Sequence, residues 1–146
     1  MSQRRIVTAE RVIHAPAQVI FDILANPYRH HEIDGSGTVR EPRPGTPERL
    51  FLGATFTMDM KMKASYFTNN HVVEYEENRV IAWHHMAKFV WKYELSPTDN
   101  GTLVRESFNY SKPWGVLIEP LGWPAKNQQS MEATLARLAS VVETGQ

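Results

Sequence analysis

Glu106 is the residue that asks first for a chemical explanation. It lies on a segment, Thr102 to Ser111, where Val104, Phe108 and Tyr110 alternate with polar neighbours, and it shares their phase. A carboxylate on an apolar strand face is costly to bury and has its pKa raised by desolvation unless something pairs with it. Two roles fit that setting. Glu106 is either a structural acceptor for a tryptophan or tyrosine tip, or a general base or ligand anchor; were the strand slipped by one residue, Arg105, Ser107 and Asn109 would face inward instead. His71 and His85 are placed on the same inward face, where either could serve as donor or proton relay to Glu106. Tyr75, Tyr93 and Tyr110 could hydrogen-bond an oxygen that gains charge.

The elements that must carry these groups follow from periodicity. Residues 4–14 are β-branched and loosely alternating, a first strand. Pro16 fits a first helical turn; Val19, Ile20, Ile23 and Leu24 then recur at helical spacing, and Asn26-Pro27 stops the helix. A second short turn covers Tyr28 to Ile33. The proline-rich stretch from Glu41 to Gly53 reads as an irregular connection. From Thr55 the period is two: Phe56, Met58, Met60 and Met62 alternate with polar residues, as do Phe89, Trp91, Tyr93 and Leu95. Turns are expected at Glu76–Arg79, at Met86–Lys88 and at the hairpin signal Asn100-Gly101. From Ala125 to Glu143, Met131, Leu135, Leu138 and Val142 form one helical stripe.

The order is strand, two short helices, six strands, long helix. The fold class is therefore α+β: a curved antiparallel seven-stranded sheet wrapped around the C-terminal helix, one domain over residues 1–146. Such curvature leaves space between sheet and helix. The expected inward face comprises Phe56, Met58, Met60, Val73, Tyr75, Ile81, Trp83, Trp91, Tyr93, Phe108 and Tyr110. Of these, Met58, Met60, Tyr75, Trp83, Trp91, Tyr93, Phe108 and Tyr110, with His85 and with Met131 and Leu135 of the helix, are the candidate ligand-binding residues. Glu106 and His71 are the candidate catalytic ones.

Other chemistries find less support. The chain has 146 residues, sixteen basic against sixteen acidic, and no cysteine. That excludes disulfides and thiolate chemistry, and it offers no basic footprint for nucleic acid. His84 and His85 point to opposite faces of a strand, and His31-Glu32-Ile33-Asp34-Gly35 lacks the second histidine of a zinc-protease helix, so no metal is expected. Gly35-Ser36-Gly37 meets neither the dinucleotide nor the phosphate-loop pattern, and no other cofactor is implied. No signal peptide or membrane-length apolar run is visible, so a cytoplasmic protein without stable membrane insertion is expected. The sequence does not indicate a homodimer.

The chain resembles, over nearly its whole length, the START-like helix-grip superfamily (SRPBCC), often called polyketide cyclase/dehydrase-like. The resemblance is carried by His14-Ala15-Pro16-Ala17-Gln18-Val19-Ile20-Phe21-Asp22, by Asn26-Pro27, by Val80-Ile81-Ala82-Trp83 and by Trp91-Lys92-Tyr93-Glu94-Leu95. Gly101-Thr102-Leu103-Val104, and Leu121-Gly122-Trp123-Pro124 leading into Leu135-Ala136-Arg137-Leu138, fit as well. The block Ile33-Asp34-Gly35-Ser36-Gly37-Thr38-Val39-Arg40 looks like an actinobacterial-type subgroup. The resemblance implies a hydrophobic cavity that takes lipid-, polyketide- or sterol-like molecules. It transfers no catalytic residue, because the superfamily has no universal catalytic motif. Three readings stand open: a binder of a small hydrophobic, lipid- or aromatic-like molecule; a polyketide cyclase/dehydratase-type enzyme using the same cavity; and an interaction module with a filled core, for which Leu50, Phe51 and Leu52 would be the contact patch.

Overall fold

The computed structural model describes residues 5–85 and 88–144. Strand β1 (Ile6–Ile13) leads into helix α1 (Ala17–Leu24), a 3-10 turn (Pro27–Arg29) and helix α2 (His30–Ile33). Six strands follow: β2 (Val39–Pro42), β3 (Thr55–Lys61), β4 (Ser65–Glu76), β5 (Val80–His84), β6 (Val90–Thr98) and β7 (Gly101–Asn109). A second 3-10 segment (Pro113–Ile118) precedes the long helix α3 (Trp123–Thr144). The seven strands form one antiparallel sheet in the order β1-β7-β6-β5-β4-β3-β2, so the first strand pairs with the last. The expected helix-grip architecture is present.

Helix α3 lies against β1, β7 and α2, and buries the stripe Met131, Leu135, Leu138 and Val142. Helix α1 contributes Ile20, Phe21, Ile23 and Leu24 to the same core. Pro16 sits one position before α1, in extended conformation, rather than inside its first turn. Removal of these apolar side chains from water is the main force closing sheet on helix.

Local sequence explains the connections. The Glu76–Arg79 turn is formed with Asn78 at φ 63°, a conformation asparagine tolerates better than most residues. At the last hairpin, Thr98 pairs with Gly101, so Asp99 and Asn100 are the two turn residues and Gly101 opens β7. A Cβ on Gly101 would lie 2.2 Å from the Ile13 carbonyl oxygen, so glycine is needed there to let β1 close over the hairpin. Of the expected Met86–Lys88 turn, Met86 and Ala87 lie outside the described residues; the Lys88 amide donates to the His85 carbonyl at 2.8 Å.

Strand β4 departs from simple alternation. Its pairing with β5 shifts between Val72 and Glu74, a bulge that places one extra residue on β4. Thr68, Asn70 and Val72 point inward before the bulge, and Tyr75 turns partly inward after it. Val73 is therefore outside, 43% exposed, contrary to its expected inward position. His71 is also outside, exposed and opposite His84 on the outer face with ring centroids 5.4 Å apart. In the 41–53 connection the apolar trio splits. Leu50 is buried and its amide donates to the Ala25 carbonyl at 2.7 Å, whereas Phe51 and Leu52 are exposed.

Candidate functional site

Between the concave sheet face and α3 lies a cavity of about 470 Å³, within the usual range for a small-molecule site. Its floor is aromatic. Trp83 and Trp91 are cross-strand partners on β5 and β6, and Tyr93 stands beside Trp83 with ring centroids 5.9 Å apart. Phe56 meets Trp83 edge-on at 5.5 Å. Methionines supply a deformable wall: Met58 and Met60 from β3, Met131 from α3. Met62, Tyr66 and Trp123 stand at the cavity's margin and are themselves partly in solvent.

Glu106 enters this cavity from β7, directly opposite Tyr93 in the β6–β7 ladder and only 4% exposed. Its Oε1 has no hydrogen-bond partner among the described residues. Burial pushes its pKa up to about 8; hydrogen bonding with the Tyr93 hydroxyl opposes that rise and the negative Asp34 adds to it. At neutral pH the buried carboxyl is thus mostly protonated and able to donate. The Tyr93 phenol is itself raised well above its ordinary value, by burial first and by Glu106 second. The pair holds one exchangeable proton on a carboxyl whose pKa lies near the neutral range, the condition under which a group both gives and takes protons readily.

His30 completes the floor from α2, a residue that sequence reasoning missed as part of the site. Its ring stacks on Trp83 at 5.3 Å, and Nε2–H donates to the Leu24 carbonyl at 2.8 Å, which fixes the neutral tautomer. Burial lowers its pKa to about 4. Thr68 and Asn70 of β4 are buried polar residues in the lining that sequence reasoning also missed. Asn70 Nδ2 donates to the Phe56 carbonyl and to both oxygens of Thr68, each at 3.2 Å.

The Ile33–Arg40 block now has a physical account. Asp34 gathers the loop: its Oδ2 accepts from the Thr38 and Val39 amides at 3.0 Å, and its Oδ1 from the Ser36 amide at 3.1 Å. The Gly35 amide donates to Thr134 Oγ1 on α3 at 2.8 Å. A Cβ at Gly35 would stand 2.5 Å from the Ser130 carbonyl oxygen and 2.6 Å from Ala133 Cβ, so only glycine lets the loop press against the helix. The loop is thereby stitched to α3 beside the cavity, with Asp34, Ser36 and Thr38 in its wall.

The sequence-derived candidates thus divide. Met58, Met60, Trp83, His85, Trp91, Tyr93, Glu106 and Met131 line the cavity together. Leu135 is buried in the core behind it, and Tyr110 stacks on Phe108 at 5.6 Å, outside the lining. Tyr75 packs on Phe21 and donates its hydroxyl to the Glu77 carboxylate at 2.7 Å, away from the cavity. His71, on the outer face, cannot act as a relay to Glu106. Phe108 lines a neighbouring cavity instead. Among the described residues no group of three or more His, Asp or Glu side chains is arranged to hold a metal ion, and no helix is long and apolar enough to cross a membrane.

Comparison with known proteins bears on the same architecture. A family model described as polyketide cyclase / dehydrase and lipid transport matches residues 4–143. An uncharacterized protein of Mycobacterium tuberculosis, Rv0088, is 34% identical over 142 residues; the match covers 91% of this chain and 62% of the relative. The chain thus spans somewhat under two thirds of that relative's length. Among solved structures, protein NE0264 of Nitrosomonas europaea superposes with a TM-score of 0.76 at 15% identity, covering 96% of this chain and 95% of that one. The Polyketide_cyc-like protein Cgl2372 of Corynebacterium glutamicum gives 0.63 at 18%, over 99% and 95%. An AHSA1-like protein of Aeromonas hydrophila gives 0.71 at 15%, over 97% and 94%. At these identities the structures attest the shared fold alone.

Proposed function

From the premise that the chain belongs to the polyketide cyclase / dehydrase and lipid transport family, we propose that it binds a small, mostly apolar, ring-containing molecule between sheet and α3. The observation that carries this reading is the 470 Å³ cavity, whose aromatic and methionine walls enclose a Glu106 oxygen that has no hydrogen-bond partner among the described residues. Apolar walls supply affinity through area removed from water, and the single deep carboxyl orients the ligand by one hydrogen bond. A native mass spectrum of the purified protein tests it: an adduct that vanishes on denaturation, or on competition with an added aromatic ketone, is the expected result. Absence of any adduct, together with no uptake of added apolar ligands, refutes it. The same cavity argues against the interaction-module reading, which required a filled core.

A cyclase or dehydratase activity is the second reading, and the position of Glu106 favours it. With a pKa of about 8, the minor ionised fraction of Glu106 at neutral pH could take a proton from carbon beside a ligand carbonyl, and the carboxyl so formed could return it, while the Tyr93 phenol opposite hydrogen-bonds the developing enolate oxygen. Glu106→Gln separates the two. Loss of turnover with binding retained marks an enzyme; parallel loss of both marks an anchor.

A further inference from the structure

A second cavity of about 350 Å³ adjoins the first. Its own walls are Phe89 and Phe108 from the sheet side and Trp114, Leu117 and Ile118 from the 3-10 segment Pro113–Ile118. The two cavities share four residues, His85, Trp91, Trp123 and Asn127. The histidine and the asparagine of the second cavity therefore both belong to the wall it shares with the first; the remainder is hydrocarbon and aromatic ring. His85 Nδ1, buried and without a hydrogen-bond partner among the described residues, marks that junction. The outer wall is firmly seated. A Cβ on Gly115 would collide with the Tyr110 carbonyl oxygen, so the 3-10 segment packs closely on the chain just after β7, and the Gly115 amide closes the segment's own first turn on the Lys112 carbonyl at 2.8 Å.

Two adjoining apolar compartments, one with a few polar groups set among its aromatic walls and one nearly without them, suit a molecule with a polar-bearing head and a wholly apolar tail. We infer that the protein's ligand is an elongated amphiphile, with a carbonyl-bearing ring held beside Glu106 and Tyr93 and an unbranched hydrocarbon tail passing the Trp91–Trp123 wall into the second cavity. This rests on the reading of the first cavity as a ligand site. The acidic groups of the first cavity also set what the head is. Asp34 and Glu106 line the first cavity, while the one lysine or arginine among its described lining residues, Lys126, is exposed at the start of α3. A neutral oxygen is therefore accepted at the floor and a carboxylate is refused there. At the roughly 30 Å³ that a water molecule takes up in the liquid, a volume close to that of a methylene group, the second cavity has room for about twelve such groups.

Phenyl alkyl ketones from acetophenone to dodecanophenone provide the probe, titrated against intrinsic tryptophan fluorescence and by calorimetry. Affinity is expected to rise about fourfold per added methylene until the second cavity is full, then to level off. Ile118→Trp, which fills that cavity, is expected to reduce the long-tail to short-tail affinity ratio at least tenfold. Leu117→Trp, at a position 69% exposed and so tolerant of change, is expected to reduce it in the same direction. Dodecanoate is expected to bind more weakly than dodecanophenone. Ketone binding with no dependence on tail length overturns this inference and leaves the first-cavity reading standing. So does a length dependence that survives in both variants, since the tail would then lie elsewhere. Preference for dodecanoate over the ketone overturns the assignment of the head, and failure of every ketone to bind overturns both readings.

Discussion

Replacing Glu106 with glutamine should reverse the order of stability of the two proteins between acid and alkaline pH. In the folded chain the carboxyl holds its proton up to a pKa of about 8, against 4.5 for the unperturbed group. Between those values the unfolded state has lost a proton that the folded state keeps, so unfolding is progressively favoured as pH rises. Stability from this group is complete below about pH 4.5 and is lost as pH climbs to about 8. The interval is about 3.5 units, and at ~1.4 kcal/mol per unit the wild type forgoes up to ~5 kcal/mol. The substituted glutamine does not titrate but leaves a buried amide imperfectly paired, at a cost of about 1–3 kcal/mol that is independent of pH. The variant should therefore be less stable than wild type at pH 5 and more stable at pH 9, with a crossing between. Urea unfolding of both proteins at half-unit intervals measures it. His30 and every other titrating group are common to both, so the difference isolates position 106. A difference that stays constant across the range would mean that Glu106 is already ionised or solvated, and the chemistry assigned to it would fail.

The other predictions concern the residues around it. His30 is lowered from 6.5 to about 4, so its contribution is complete above pH 6.5 and is lost as pH falls through 4; His30→Phe should abolish ~3 kcal/mol of acid destabilisation, read from urea midpoints at pH 4 and 7. Asp34→Asn removes the negative charge that raises Glu106, so the Glu106 titration, followed by carboxyl carbon chemical shift, should move to lower pH. The same change should cost ~1–3 kcal/mol through the loosened amides of residues 36–39. Gly35→Ala forces its methyl against the backbone of α3 and should destabilise by ~1–3 kcal/mol, which thermal unfolding would show as a Tm lower by several degrees.

How much of this was legible in advance depended on whether one period governed a segment. In β7 it did: Thr102, Val104, Glu106 and Phe108 are all buried, and Glu106 could be placed inward from alternation alone. In β4 it did not. The bulge between Val72 and Glu74 inverts the phase, so extending alternation back from Tyr75 puts Val73 and His71 inside, where the chain puts Thr68, Asn70 and Val72. Nothing in the residue types announces the bulge, and the inward positions before it are polar. His30 escaped for a different reason. It belongs to a helix of four residues, too short for a face to be read, and its burial comes from packing on Trp83 and Phe56 far along the chain. Tyr110 and Leu135 were assigned to the right face, but a face contains both core and lining, and only the depth of the packing separates them.

The pairing of β1 with β7 has a consequence for how the protein comes into being. The Arg5 amide donates to Ser111 Oγ across 106 positions of sequence, and the Arg5 guanidinium reaches Glu119 across 114. A ribosome must therefore release nearly all of the domain before its first strand finds a partner. Until then the nascent chain carries the bare aromatic face of β3 to β6, a hazard for self-association. High contact order of this kind is expected to make refolding slow, on the millisecond-to-second scale, with β1 the last strand to acquire amide-exchange protection. Protection of β1 before the β6–β7 hairpin in a pulse-labelling experiment would contradict that order of events.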